Sequence, residues 1–191
     1  MNAAADYAAA AAQLTRTLPA YVAYTDRTEG GFGPFHGGQS SKVVVHVPDG
    51  RVISGHPATV HFGTGNWREA ELLTNPPFRP ACYAPTDAQA ATFDGKPAER
   101  IALRPRCRTG EDDADFTVLY VDPNSRAPLA VVGTDDDKDV QARVEERFIA
   151  VDGYTVPAGL HVKVKGEGWM GWLDVTANVE LSDYRFSATP L

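Results

Sequence analysis

Five histidines, two cysteines, two acidic clusters and scattered serines are the side chains of this 191-residue chain whose types could do chemistry. Imidazole is the commonest metal ligand, and His46, His56 and His61 lie on or beside neighbouring strand-like segments. With Asp49-Gly50 as a two-residue turn, however, His46 falls opposite Ile53 rather than His56. His56 precedes Pro57, and no acidic partner sits at a useful spacing. Surface or core histidines explain the pattern better than a metal site, so none is expected. Glu111–Asp115 (EDDAD) and Asp135–Asp139 (DDDKD) offer the carboxylate oxygens that calcium takes. Both lack the glycine and closing glutamate of a calcium loop and read as solvated loop tips.

Nucleophilic chemistry is no better supported. There is no Gly-x-Ser-x-Gly elbow, and Ser40, Ser41, Ser54, Ser125, Ser182 and Ser187 stand without a visible His/Asp set. Cys107 sits between Arg106 and Arg108 on a strand-like segment, a poor setting for a catalytic thiol. Cys82 and Cys107 are the only cysteines; they permit one disulfide and equally permit two separate thiols. No catalytic residue and no cofactor is assigned. A hydrolase whose groups assemble from distant positions stays open as a minor alternative.

The elements that must position these residues are mostly strands. Ala3–Leu18 reads as an alanine-rich helix with Tyr7, Leu14 and Leu18 on one narrow face, stopped at Pro19. Tyr21–Tyr24 reads as a first strand. Glu29–Gly38 (EGGFGPFHGG) fits no phosphate-binding fingerprint and reads as a mobile connection, in which Phe32 and Phe35 either fold over an opening or pack on the nearest strand. Lys42–Ser54 predicts a hairpin about Asp49-Gly50, and Ala58–Gly63 a third strand. Asn66–Thr92 reads as an irregular insertion containing helix, with Asn66 as N-cap, Trp67–Leu73 helical until Pro76-Pro77, and "TDAQAAT" (Thr86–Thr92) as one more turn. Strands resume at Glu99 and run to the C-terminus. Leu173, Val175, Ala177, Val179 and Leu181 alternate with mainly polar residues; the rhythm slips near Ser182-Asp183, which predicts a β-bulge. Short turns between consecutive strands imply an antiparallel meander in a single domain.

Composition narrows the function. Hydrophobic content of 43% and charge content of 23% suit a globular domain. A net charge of −7 opposes a nucleic-acid partner, and no apolar run approaches the roughly 20 residues that span a bilayer. Met1 is followed by a neutral, alanine-rich stretch without the basic start of a secretory signal. A cytosolic protein and an exported one whose leader has been removed both fit, and the second is favoured. An antiparallel sheet with one apolar face must cover it. Two short helices cover only four or five strands of a flat sheet, at about 10 Å per helix and about 4.8 Å per strand. The expectation is α+β but mainly β: a curved antiparallel sheet forming an incomplete barrel, its concave face covered by the N-terminal helix and the central helical insertion. Imperfect cover over an apolar hollow makes a ligand site; the same alternation also describes a filled core.

The order of these elements, with "DGKPAERIAL" (Asp94–Leu103), "LYVDPNSRAPLAVV" (Leu119–Val132) and "FIAVDGYTVPAGLHVKV" (Phe148–Val164), resembles the bacterial outer-membrane lipoprotein-sorting family, the Lol-type periplasmic carriers and their relatives. The matching positions are Gly95, Pro97, Leu103, Asp122, Pro123, Asp152, Gly153 and Pro157, spread over Ala3 to Phe186. The family's early arginine-bearing strand is absent, so no gating arginine is carried over. The resemblance implies an exported protein with a helical lid over an apolar cavity that holds acyl chains. Wall positions are then Val44, Leu103, Leu119, Val131, Phe148, Val162, Val164, Leu173 and Val175, and lid positions Leu14, Leu18, Trp67, Leu72 and Phe78. If the protein is exported, a Cys82–Cys107 disulfide ties the insertion to the sheet. The expected function is a monomeric, non-enzymatic, extracytoplasmic binder of a lipid or lipoprotein acyl chain, with an envelope protein as a further partner. The alternative is an envelope protein-interaction module with a filled core.

Overall fold

The computed structural model describes residues 2–32, 35–57, 72–107, 115–136, 140–168 and 171–191, with backbone only at 32, 35, 36, 135, 136, 140, 167, 168 and 171–173. Helix α1 spans Ala3–Leu14, and the Asn2 side chain caps it by accepting from the Ala5 N–H at 3.2 Å. It ends four residues before the predicted Leu18, where the Thr15 hydroxyl bonds back to the Ala11 carbonyl at 2.9 Å. Leu18 lies beyond the helix yet still packs against the core.

Ten strands follow: β1 (Tyr21–Phe32), β2 (Phe35–His46), β3 (Arg51–Ser54), β4 (Tyr83–Phe93), β5 (Lys96–Pro105), β6 (Phe116–Val121), β7 (Pro128–Asp136), β8 (Val140–Val151), β9 (Tyr154–Gly168) and β10 (Gly171–Ser187). They form one sheet in the order β3-β2-β1-β10-β9-β8-β7-β6-β5-β4, and every pairing is antiparallel. Edges β3 and β4 do not pair with each other, so the barrel is incomplete. The chain between them must pass from one edge of the sheet to the other, which brings residues 72–82 over the interior face.

The contacts of α1 show the curvature. The helix touches β4, β7 and β9, and β4 and β9 are five strand spacings apart in the sheet order. Laid flat, that is about 24 Å, against a length of about 18 Å for a helix of this size. The sheet therefore curls around α1. The bulge helps: β10 carries one more residue than β1 between the Ala23–Arg185 and Thr25–Ser182 pairs, with Asp183 at φ 54°. That is the bulge anticipated at Ser182-Asp183.

Several sequence expectations are corrected. The glycines of Glu29–Gly38 lie in β1 and β2, which run to Phe32 and from Phe35; pairing to neighbours outweighs glycine's poor strand propensity. "TDAQAAT" is not helical but belongs to edge strand β4, paired with β5. Of the central insertion, 72–82 is a turn followed by a single 3₁₀ turn at Pro80–Cys82; most of Trp67–Leu73, and the strand expected at Ala58–Gly63, lie outside the described residues. The β2–β3 connection is a 3₁₀ turn, Val47–Asp49, closed by Gly50 at φ 67°. His46 consequently faces Arg51 rather than Ile53.

Candidate functional site

The apolar face is built row by row from the strand register, because directly paired residues point to the same side of a sheet. One row crosses the molecule: Ala88 on β4, Ile101 on β5, Leu119 on β6, Val131 on β7, Glu146 on β8, Leu160 on β9, Val179 on β10 and Thr28 on β1. From Ile101 to Val179 every side chain is sealed from solvent. Two rows further along β8 and β9, Ala142, Val164 and Val175 continue in register into Phe32 and Phe35. There Ala142, Val164 and Val175 are only half-buried, as is Ala177 in the row between. The interior face is thus closed at its middle and more open towards the β1–β2 and β9–β10 tips.

Two pieces of chain lie on the closed part. Helix α1 is held by a clasp at its N-terminal end. Arg126, in the β6–β7 turn, reaches Asp6 Oδ1 at 2.7 Å with Nε and Glu99 Oε2 at 3.2 Å with Nη1. Its backbone is left-handed, φ 59°, and its guanidinium also donates to the Pro123 carbonyl. Burial tends to raise the Asp6 carboxyl, but the Asn2 N–H, Glu99 and Arg126 hold it below its ordinary range. Glu99 is pushed up, first by burial and then by Asp6 beside it. Further along, the Tyr7 hydroxyl donates to the Pro80 carbonyl at 2.7 Å, and burial raises that phenol to about 12. Past the helix end, Arg16 donates to the Gly153 carbonyl at 2.5 Å and lies over the Tyr154 ring.

The second piece is 72–82. Leu72 and Phe78 are buried, and Phe78 packs against Tyr83 and Phe116 with ring centroids 5.1 and 5.6 Å apart. The Phe78 N–H donates to Glu146 Oε2 at 3.0 Å. The Cys82–Cys107 disulfide fixes the end of this segment to the end of β5, with Cα atoms 4.9 Å apart.

The anticipated wall and lid residues fall as follows. Leu103, Leu119, Val131, Phe148 and Val162 are buried in the core, and Val164 and Val175 lie on the same face, half-buried. Leu173 belongs to β10 by its backbone. Val44 does not join them: it pairs with Ala23 and stands on the opposite side of β2 from the buried Val43 and Val45. Leu72 and Phe78 lie in the cover and Leu14 packs on the core, while Trp67 lies outside the described residues. Glu146, fully buried in the middle of the apolar row, was missed. The signal was present, since Glu146 shares the parity of Val144 and Phe148.

The outer face is polar and internally paired. Glu145 takes Arg143 at 2.8 Å and Arg147 at 2.7 Å, and Arg147 also pairs with Asp94 at 2.8 Å. His161 Nδ1 meets Asn178 Oδ1 at 3.0 Å, and His46 Nδ1 meets Asp49 Oδ1 at 2.8 Å. His56 uses its backbone N–H on the Ser41 hydroxyl, and His61 lies outside the described residues. Among the described residues, no three His, Cys, Asp or Glu side chains are grouped to hold a metal ion. Of the acidic runs, Asp115 leads into β6 and Asp135-Asp136 end β7; the rest lie outside the described residues. An open groove of about 440 Å³ runs past Glu29, Gly30, Gly37, Gly38, Thr176 and Asn178. It is lined by polar side chains and bare glycine backbone of β1, β2 and β10.

Comparison with known structures supports this architecture. No protein-family model matches the chain, and no curated protein matches it in sequence. Two solved structures share its fold across nearly the whole length. A DUF1329 family protein from Desulfovibrio piger has 12% identity and a TM-score of 0.54 over 98% of this chain and 94% of its own. A putative outer membrane lipoprotein-sorting protein domain from Vibrio parahaemolyticus has 13% identity and a TM-score of 0.53 over 100% and 95%. A LolA superfamily protein from Nitrosomonas europaea aligns over 100% and 96% with 12% identity and a TM-score of 0.43. The chain has the curved, open-sheet fold of the lipoprotein-sorting type.

Proposed function

We propose that this protein is a non-enzymatic, extracytoplasmic carrier that holds an acyl chain, or another apolar ligand of similar shape, against the concave face of its sheet. The observation that carries this reading is the graded cover of one continuous apolar face. The row through Leu119, Val131 and Leu160 is sealed, whereas Val164, Val175 and Ala177 remain half-exposed on the same side. An acyl chain laid along them needs no catalytic group, since each buried methylene contributes about 0.8 kcal/mol. The shared fold with a lipoprotein-sorting domain supports the same reading. Native mass spectrometry with solvent extraction of the purified protein tests it. A bound lipid, or one taken up on incubation with lipid extract, is expected; a protein that stays ligand-free in both experiments contradicts it.

The sealed middle row also fits a second reading, an envelope interaction module with a solid core. A ligand-free protein that captures a specific envelope protein through its loops or sheet edges is the outcome that favours that reading.

A further inference from the structure

Glu146 is a fully buried carboxyl in the middle of the sealed apolar row of the interior face. Its neighbours in the row are Val131 on one side and Leu160 on the other, each fully buried. Oε2 accepts from the Phe78 N–H, and Oε1 has no hydrogen-bond partner. The only other such side-chain atom among the described residues, Glu99 Oε1, belongs to a carboxylate that has Arg126 as counter-charge. Among the described residues, Glu146 has no such counter-charge. Its titratable neighbour is Tyr184 on β10, itself beside Tyr24 and Asp26 of β1, and the Tyr184 hydroxyl is committed to the Pro157 carbonyl at 2.7 Å. A leucine or methionine would fill this position without the cost of an unsatisfied buried polar atom, about 1–3 kcal/mol.

We propose that Glu146 Oε1 is the hydrogen-bonding anchor for the carbonyl of an acyl ligand lying on this face; the proposal rests on the carrier reading above. In these apolar surroundings the carboxyl keeps its proton, raised by burial to about 8. With Oε2 accepting from Phe78, the hydroxyl is Oε1, a buried donor with no acceptor among the described residues. An ester or acid carbonyl supplies the missing acceptor, and the hydrocarbon attached to it suits the surrounding valines and leucines. A cationic head group suits the site less well, since it would force an ionised carboxylate into the middle of the row. Phe78 belongs to the cover, so the residue that holds the cover down is also the one that receives the ligand's polar end. Binding is thereby coupled to the seating of 72–82.

The test compares methyl palmitate, palmitic acid, hexadecane and hexadecylamine on the full chain by displacement of a fluorescent hydrocarbon probe. Wild type is expected to prefer the ester or the acid over hexadecane by roughly 3- to 10-fold, the worth of one net hydrogen bond. Whichever of the two is preferred identifies the source of the carbonyl. Glu146→Met should lose that preference while still binding hexadecane, and Glu146→Gln, whose amide can accept from Phe78 and donate to a carbonyl, should retain it. Should Glu146→Met fail to fold, the infrared stretch of a ¹³C-carbonyl ester bound to wild type decides: a shift to lower frequency is expected, and an unshifted band overturns the anchor. Equal affinity for ester, acid and alkane, or tightest binding of the amine, overturns the anchor and leaves the carrier reading standing. Binding of none of the four overturns both.

Discussion

Glu145 and Glu146 are adjacent in sequence and opposite in circumstance. Glu145 faces outward between two arginines; burial tends to raise its carboxyl, but Arg143 and Arg147 hold it below its ordinary range. Glu146 faces inward with no cation beside it among the described residues, and burial carries it from 4.5 to about 8. An unfolded chain releases the Glu146 proton near the ordinary value, while the folded chain keeps it to about 8. The stability this group contributes is therefore full below about 4.5 and declines as pH rises towards about 8. Glu145, Asp49 and Asp122, all lowered, act in the opposite sense, and their contribution is lost as pH falls through their folded values. Thermal melts should therefore show wild-type Tm falling between pH 5 and 8 more steeply than that of Glu146→Gln, which cannot titrate. Parallel profiles for the two proteins contradict an inward, uncompensated Glu146.

At the scale of elements, the described bonds that hold the cover can each be cut. Arg126→Ala leaves the buried Glu99 facing Asp6 without a counter-charge, a more damaging change than losing an exposed ion pair. A drop in Tm of at least roughly 5 °C is expected, with faster amide exchange in α1 than in β8 and β9; uniform exchange would show that the clasp does not seat the helix. Cys82 and Cys107 should read two hydrogens light by intact mass before reduction, and reduction should loosen 72–82 before the sheet opens. Two free thiols after aerobic purification contradict this. Which elements were legible in the sequence follows from the same physics. The alternation through Leu160–Val164 and Val175–Leu181 reveals β9 and β10 because each has one buried and one wet face. Lys42–His46 carries three consecutive valines, so parity alone could not say that Val44 turns away from the core. The glycines of Glu29–Gly38 and the alanines of Thr86–Thr92 suggested loop and helix, and neighbouring strands decided otherwise. The turns at Asp122-Pro123 and Asp152-Gly153 were readable because turn chemistry is local. What covers the concave face was not, since it depends on how the β3–β4 connection crosses the sheet.

At the scale of the molecule, the interior face has a sealed middle, which contains Glu146, and a half-buried end at Ala142, Val164 and Val175 that would take the hydrocarbon of a ligand whose carbonyl reaches Glu146 beneath the cover. Leu160→Ala, in the sealed row, should destabilise by about 2–5 kcal/mol. Val164→Asn, at the half-buried end, should shift Tm little and weaken acyl binding several-fold. Reversed effects, measured by melts and probe titration on the same preparations, would exchange the two roles. Close strand packing is part of this architecture: a Cβ on Gly159 would come within 2.4 Å of the Val179 carbonyl oxygen, so β9 lies tight against β10 beside the interior row. The curl that closes the middle around α1 leaves the far end of the sheet less covered, and the proposed function depends on that difference.

The most direct measurement is titration of the solvent-extracted 191-residue chain with an environment-sensitive fluorescent acyl probe. A concave face that holds an acyl chain gives a blue-shifted, saturable signal at one probe per chain, displaced by unlabelled palmitate and weakened several-fold by Val164→Asn. A signal that never saturates, or none at all from a folded protein, contradicts a ligand-holding concave face.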